Sequence, residues 1–163
     1  MIPYDSLTAC MTSADTLQPA PRLILDSRMS EIALVWPWVE SLAVACAIPP
    51  DTLFAIDLCL EEAISNIIRH GYREQPGHRL TVDFSSEPAN GPAKTLVFTI
   101  EDQAPPFDPL EDLVVPAMPA AGSIDRLNPG GHGIRLLRKF AANLDYQRLA
   151  NGNRLTIRFN LPA

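Results

Sequence analysis

Two neighbouring segments of the chain read as β-strands, and they constrain the fold more than any other feature. Residues 79–85 (RLTVDFS) and 94–102 (KTLVFTIED) alternate apolar with polar positions and are rich in β-branched or aromatic side chains. A short turn-forming segment separates them. The end of the chain repeats this arrangement, with residues 144–149 and 153–161 on either side of a turn at 150–152. Strands that follow one another in this way predict antiparallel pairing.

The predicted helices are separated from these strands along the chain. After a short strand at 22–26, residues 30–47 have helical periodicity, provided that Pro37 lies early in the helix or kinks it. A third helix is expected within 130–143, where Ile134, Leu137, Phe140 and Ala141 would face inward. Strands paired in sequence with helices gathered apart indicate an α+β two-layer sandwich with a mainly antiparallel mixed sheet. We expect a loose N-terminal arm at 1–20 and one domain at 21–163.

The second predicted helix carries two distinct faces. Asp51 is its expected N-cap, and it should end near Gly71. Its apolar face comprises Leu53, Ile56, Leu60, Ala63, Ile64, Ile67 and Ile68. A polar stripe of roughly 60° holds Glu62, Asn66, Arg69 and Arg73. These side chains could serve as a base, a metal ligand and phosphate partners, although any amphipathic helix has a solvated face of similar composition.

Two further segments have the residue types of a ligand site. Asp102, at the end of a predicted strand, could accept a hydrogen bond from an exocyclic amine, or could be an ordinary turn aspartate. Gly130, Gly131 and Gly133 precede a helix, where backbone N–H groups and the helix N-terminus favour an anion. A tight turn with positive φ would use the same glycines. The long proline-rich segment at 104–129 between these two features is typical of a functional or disordered loop.

Composition excludes several classes of protein. A net charge of −6 and a pI near 4.9 disfavour sequence-independent nucleic-acid binding. Three cysteines without paired spacing indicate reduced thiols in a cytoplasmic protein, and the three histidines have no metal-ligand spacing. The N-terminus does not read as a secretory signal. The longest apolar stretch, 32–48, is interrupted by Pro37 and Glu40, so we expect no membrane span.

Taken together, three short motifs resemble those of the GHKL superfamily of histidine-kinase-like ATP-binding domains, most closely its anti-sigma-factor serine-protein kinase branch. The first motif, E-x-x-x-N on a helix, is matched by Glu62 and Asn66, with His-Gly-Tyr following at 70–72. Asp102 and the sequence PFDP at 106–109 match the second, and GGHGIRL at 130–136 matches the third. The last strand, NRLTIRF, is also similar. The resemblance covers about residues 22–161 and implies the Bergerat-type fold, with ATP and Mg²⁺ as cofactors.

The first motif supplies the chemistry that the resemblance implies. Asn66 would give its side-chain oxygen to Mg²⁺, a cation that prefers oxygen ligands. Glu62, one turn earlier, would act as general base toward a serine hydroxyl, or toward water. Our own addition is Arg69, which shares their stripe and could contact phosphate; a solvent-exposed salt bridge is the alternative.

The other motifs would hold the nucleotide. Asp102 would read the adenine amine, helped by the hydroxyl of Thr156. The turn of Gly130, Gly131, His132 and Gly133 would hold the phosphates, and the proline-rich loop would be a lid. One departure is Ala104, which stands where relatives place glycine. If that backbone position requires positive φ, alanine costs about 1 kcal/mol; if φ stays negative, the methyl group is tolerated.

The implied activity is that of an ATP-dependent serine-protein kinase in a bacterial partner-switching pathway. Such a protein binds a sigma factor or another effector and phosphorylates an antagonist protein on serine, and homodimers are common in the family. The alternative is a nucleotide-sensing adaptor that binds a partner without phosphotransfer, which Ala104 and the acidic first helix favour slightly.

Overall fold

The protein forms a single antiparallel sheet in the part of the chain that is described. The computed structural model describes residues 21–88, 94–106, 108 and 133–161. The strands are β1 (Arg22–Asp26), β2 (Arg79–Pro88), β3 (Lys94–Asp102), β4 (Asn143–Leu149) and β5 (Gly152–Leu161). They lie in the order β1-β2-β3-β5-β4, and each neighbouring pair is antiparallel. The predicted α+β sandwich is therefore confirmed, and every described strand pair is antiparallel.

Helices α1 (Val35–Cys46), α2 (Pro50–Asn66) and α3 (Gly133–Phe140) accompany the sheet. The segment predicted as one helix at 30–47 is divided, because Met29–Leu34 forms a 3-10 helix and α1 begins only at Val35. Pro37 then lies in the first turn of α1, where a missing N–H costs nothing.

The N-cap prediction for α2 was wrong. Pro49 is the N-cap residue, and Asp51 lies inside the first turn. Pro50 fixes φ near the helical value at the first position, which starts the helix one residue earlier than a capping aspartate would. Asp51 still places a negative charge at the positive end of the helix dipole.

The end of α2 widens into a π-helical turn, Ile67–Gly71. The Tyr72 N–H donates to the Ile67 carbonyl five residues back, at 3.0 Å. The chain then leaves the helix, since Arg73 and Glu74 have φ of 52° and 60°. Arg73 therefore does not continue the polar stripe of Glu62 and Asn66, which corrects the sequence interpretation.

The core lies between the helices and one face of the sheet. Alternate residues of the three central strands point into it, among them Phe84, Phe98 and Phe159. The ring of Phe98 contacts the rings of the other two. Trp38 of α1 meets the Phe98 ring edge-on at 6.1 Å, which places α1 on this face. The other face is polar in part, with ion pairs between Arg22 and Asp83 and between Arg154 and Glu101, both at 2.6 Å. The predicted apolar face of α2 is buried as expected, with Leu53 partly buried at its edge.

One helical stretch, Met29–Cys46, is long and apolar enough by composition to cross a membrane, which alone is weak evidence. Val35, Val39, Leu42 and Cys46 within it pack into the core of the domain. These contacts give the stretch a place in the folded domain.

Candidate functional site

Glu62 and Asn66 lie one turn apart near the C-terminal end of α2. Asn66 is buried, with 7% of its surface exposed, whereas Glu62 is half-buried and Arg69 is exposed. Burial, and secondly the charge of Glu62, raise the pKa of the Cys59 thiol to about 12. Glu62 follows Cys59 by three residues in α2, so the two side chains lie on neighbouring parts of the helix surface. The Asn66 side chain does not cap the turn that follows it. Within the predicted polar stripe, the Asn66 carboxamide is therefore buried and the Arg69 guanidinium is exposed.

Asp102 ends β3 as a buried carboxylate that hydrogen bonds hold in place. Its Oδ1 accepts from the Ala104 backbone N–H and from the Asn153 side-chain Nδ2, both at 2.8 Å. Burial raises the pKa of Asp102, while the hydrogen bonds from Asn153 and Ala104 and the charge of Arg148 lower it. Both hydrogen bonds from described residues end on Oδ1, which leaves Oδ2 to accept from a ligand.

Asn153 is a site residue that sequence reasoning missed. Its Oδ1 accepts from the Tyr146 hydroxyl at 2.7 Å and from Arg148 Nη1 at 2.9 Å, which directs Nδ2 toward Asp102. Asn153 lies directly opposite Asp102 in the β3–β5 register. The alternation of side chains along the strand could have identified it, because Asn153 lies on the same face of β5 as the apolar residues Leu155 and Ile157.

The structure does not bring Thr156 to Asp102, contrary to expectation. Thr156 pairs with Thr99, three residues along the strands from the Asp102–Asn153 pair. Because successive side chains point to opposite faces, Thr156 lies on the side of β5 away from Leu155 and Ile157. The Asn153 carboxamide, and not the Thr156 hydroxyl, therefore lies beside Asp102.

The end of α2 and the end of β3 are joined directly. The Tyr72 hydroxyl accepts a hydrogen bond from the Gln103 backbone N–H at 2.8 Å, and the Tyr72 ring stacks on His78 at 4.5 Å. Gly71 lies so close to Ala104 that a Cβ at position 71 would be 2.8 Å from the Ala104 Cβ. These contacts fix the helix of Glu62 and Asn66 relative to Asp102.

Ala104 is accommodated without backbone strain. Among the described residues other than glycine, positive φ occurs at Ala47, Arg73 and Glu74, so Ala104 keeps a negative φ. Its methyl group is buried against Gly71. The milder of the two interpretations of this substitution is therefore correct, and Ala104 gives no reason to expect a distorted pocket.

The phosphate-binding prediction falls mostly beyond the described chain. Gly130, Gly131 and His132 lie outside the described residues, while Gly133 begins α3, which packs against α2. Within the described ranges, no cluster of three His, Cys, Asp or Glu side chains could hold a metal. The donor set fits Mg²⁺ that arrives with a nucleotide, since Mg²⁺ uses one or two protein oxygens together with phosphates and water. The buried Asn66 carboxamide offers one such oxygen.

Comparison with known proteins identifies the family. The model of the histidine kinase-like ATPase domain matches residues 25–159 of this chain. The chain belongs to that family. A histidine kinase-like ATPase domain is a domain that binds ATP, so the fold described above is an ATP-binding one. The resemblance seen in the three sequence motifs is thereby confirmed.

This chain is similar to the serine/threonine-protein kinase BtrW of Bordetella bronchiseptica. The two are 32% identical over 120 residues, which are 74% of this chain and 79% of the relative. A solved structure of the RsbU and RsbW domains of Rv1364c from Mycobacterium tuberculosis shares the fold, with a TM-score of 0.53 and 14% identity. That match covers 89% of this chain but 34% of the other, so the chain spans about a third of that structure.

Proposed function

We propose that this protein is an ATP-dependent serine-protein kinase of the anti-sigma type, acting in the cytoplasm within a bacterial partner-switching pathway. The observation that carries the proposal is the placement of the half-buried Glu62 one turn before the buried Asn66. The 32% identity to a serine/threonine-protein kinase supports phosphotransfer to a hydroxyl group. Its effector would be a sigma factor or a similar protein, and its substrate would be an antagonist protein.

In the proposed reaction, Glu62 acts on the attacking hydroxyl group. Glu62 is half-buried, so part of its side chain is exposed to solvent, where a substrate serine would approach. The serine oxygen would bond to the γ-phosphorus of ATP as its proton passes to Glu62 and ADP leaves. Asn66 would hold Mg²⁺ through its side-chain oxygen. When bound, Mg²⁺ neutralises charge on the phosphates.

Asp102 would orient the nucleotide base. A carboxylate whose Oδ1 already accepts two hydrogen bonds can take an exocyclic amine on Oδ2. Asn153 and Arg148 counter the rise in pKa that burial causes, which favours the ionised acceptor form of Asp102. Gly130, Gly131, His132 and the start of α3 at Gly133 would take the phosphates, with Arg69 as an added contact.

One of the two observations that favoured a nucleotide-sensing adaptor no longer favours it. It drew on Ala104 as a possible sign of a failed pocket, but Ala104 keeps a negative φ and donates its N–H to Asp102. The acidic surface of the first helix bears on the partner rather than on catalysis. We therefore retain the kinase as the proposed function.

The proposal is tested by separating nucleotide binding from phosphotransfer. Glu62→Gln should bind ATP as the wild type does, yet transfer phosphate to a serine-bearing antagonist at least 100-fold more slowly, since general bases contribute about 10²–10⁴-fold. Glu74→Gln is the matched control, because Glu74 is exposed beyond the end of the helix. Equal transfer rates for Glu62→Gln and wild type would exclude Glu62 as the base. Absence of any phosphoprotein with the wild type would favour the adaptor.

A further inference from the structure

Three polar side chains lie in one row across the sheet beside the proposed nucleotide site. Arg148 of β4 lies opposite Asn153 of β5, and Asn153 lies opposite Asp102 of β3. Cross-strand partners share one face of a sheet, and here it is the face that carries Leu155 and Ile157 into the core. Asp102 and Asn153 are buried, whereas Arg148 is exposed. The row therefore connects an exposed cation to a buried carboxylate.

Arg148 determines which end of the Asn153 carboxamide faces Asp102. A carboxamide has a donor end and an acceptor end of nearly the same shape, so either orientation fits the same space. Arginine can only donate, and its Nη1 therefore selects Asn153 Oδ1, which lies 2.9 Å away. The Tyr146 hydroxyl, 2.7 Å from the same oxygen, could donate or accept and so selects neither orientation by itself. With Oδ1 taken by Arg148, the Nδ2 end donates to Asp102 Oδ1 at 2.8 Å.

Each group in this row donates a hydrogen bond to the next, which favours the ionised form of Asp102. Its Oδ1 accepts from Asn153 and from the Ala104 N–H, and a carboxyl oxygen that receives two donors is stabilised in its charged form. Burial raises the pKa of Asp102, whereas these two hydrogen bonds and then the charge of Arg148 lower it. From the end of α2, Tyr72 also interacts with Asp102, but burial raises the pKa of Tyr72 and its hydroxyl stays neutral. Arg148 thus supplies positive charge against the burial of Asp102.

The hairpin of β4 and β5 also holds the backbone that follows Asp102. The Ala104 carbonyl accepts from Arg148 Nη1 at 3.0 Å and from Asn153 Nδ2 at 3.2 Å. Gly152, at the start of β5, packs so closely on β3 that a Cβ there would overlap the Asp102 carbonyl oxygen. Because Oδ1 and the adjoining backbone are both held, Asp102 Oδ2 keeps a defined position for a ligand.

We propose that Arg148 is a positioning residue that makes the nucleotide site selective for adenine. The inference rests on the proposed function, in which Asp102 accepts a hydrogen bond from the amine of the base. With Arg148 in place, Asp102 offers only acceptors, so a base with a carbonyl oxygen in place of the amine is rejected because its polar group is left unpaired. Without Arg148, Asp102 takes up a proton more readily, and a protonated carboxyl group can donate to that carbonyl oxygen. Arg148 acts through Asn153 and Asp102 and does not itself contact the base.

The test compares ATP with ITP, whose base carries a carbonyl oxygen where adenine carries the amine. Both nucleotides are titrated calorimetrically with Mg²⁺ into the full chain, between about pH 5.5 and pH 8. The wild type should bind ATP more tightly than ITP by about tenfold or more. Arg148→Met should lower this ratio about fivefold or more at the acidic end, and the pH at which selectivity is lost should be higher than in the wild type. A merely structural role would weaken both nucleotides equally at every pH.

Two further variants serve as controls. Arg148→Lys keeps a charged donor and should retain most of the selectivity that Arg148→Met loses. Arg154→Met removes an arginine that pairs with Glu101 on the other face of the sheet, and it should leave the ATP-to-ITP ratio within about twofold of the wild type. A selective wild type with an unchanged ratio and pH dependence in Arg148→Met, or an equal loss of both nucleotides, overturns this inference alone. A wild type that binds ATP and ITP equally overturns the role of Asp102 in the proposed function as well.

Discussion

Replacing Gly71 by alanine should destabilise the protein because of a single contact. A Cβ at this position would lie 2.8 Å from the Ala104 Cβ, whereas apolar carbons prefer about 3.5–4.0 Å. An overlap of about 1 Å in a packed interior costs about 1–3 kcal/mol. Alanine regains about 0.4–1 kcal/mol through the unfolded state, since φ of Gly71 is not positive. We expect a net loss of about 1–2 kcal/mol.

If this clash is the cause, removing the Ala104 methyl group should restore the stability that Gly71→Ala loses. In an Ala104→Gly background the opposing methyl group is absent, so Gly71→Ala should there stabilise the protein by about 0.4–1 kcal/mol. The coupling energy between the two changes should therefore be about 1–3 kcal/mol. The assay is urea unfolding of the wild type, both single variants and the double variant, followed by far-ultraviolet circular dichroism. In thermal scans, each kcal/mol corresponds to about 2–4 °C in Tm.

This double-mutant cycle also tests whether the end of α2 contacts the end of β3. Gly71 ends the π-helical turn after Asn66, and Ala104 follows Asp102. If Gly71→Ala changes stability equally in both backgrounds, within about 0.5 kcal/mol, then the two residues are not in contact and the reasoning fails.

Three further substitutions test buried polar groups. Burial, and secondly the charge of Glu61, raise the pKa of Asp57 from 3.8 to about 6. The folded chain therefore binds more protons than the unfolded chain between these two pH values. The free energy of unfolding falls as pH rises through that range. Asp57→Asn should therefore gain about 1 kcal/mol at pH 7, discounted for partial exposure, and nothing near pH 3.8; a gain that does not depend on pH in urea unfolding would contradict this. Asn153→Ala should cost about 2–3 kcal/mol and raise the pKa of Asp102 further, because it removes a donor to a buried carboxylate. Tyr146→Phe, which removes a neutral hydrogen bond to Asn153, should cost about 1 kcal/mol, and equal losses in the two variants would show that the Asp102 contact adds nothing.

Sequence patterns predicted the strands well because strand alternation is a strong signal. The bounds of Arg22–Asp26 and Lys94–Asp102 agree with the structure to the residue. Burial on one face requires every second residue to be apolar, so a strand of this kind leaves a regular pattern. Helix beginnings were less accurate, since the 3-10 helix at Met29–Leu34 has no distinct periodicity of its own over six residues.

The site was predicted in part, and the errors have physical causes. Glu62 and Asn66 lie one turn apart as helical spacing requires. The π-helical turn moved Arg73 off the stripe, and no residue pattern marks where a helix will widen. Thr156 was chosen by motif similarity, although strand parity places it on the other face from Asn153. The network of Tyr146, Arg148 and Asn153 depends on strand register, which local sequence does not specify.

The central claim is that Asn66 holds Mg²⁺ in a working ATP site, and calorimetric titration of ATP tests it most directly. The titration is carried out with and without Mg²⁺ on the wild type, Asn66→Ala and the control Asn160→Ala, which changes an exposed asparagine of β5. We expect Mg²⁺ to tighten ATP binding at least tenfold in the wild type and in the control, and to have no effect in Asn66→Ala. Mg²⁺-dependent binding that persists in Asn66→Ala, or a wild type that does not bind ATP, would contradict the claim.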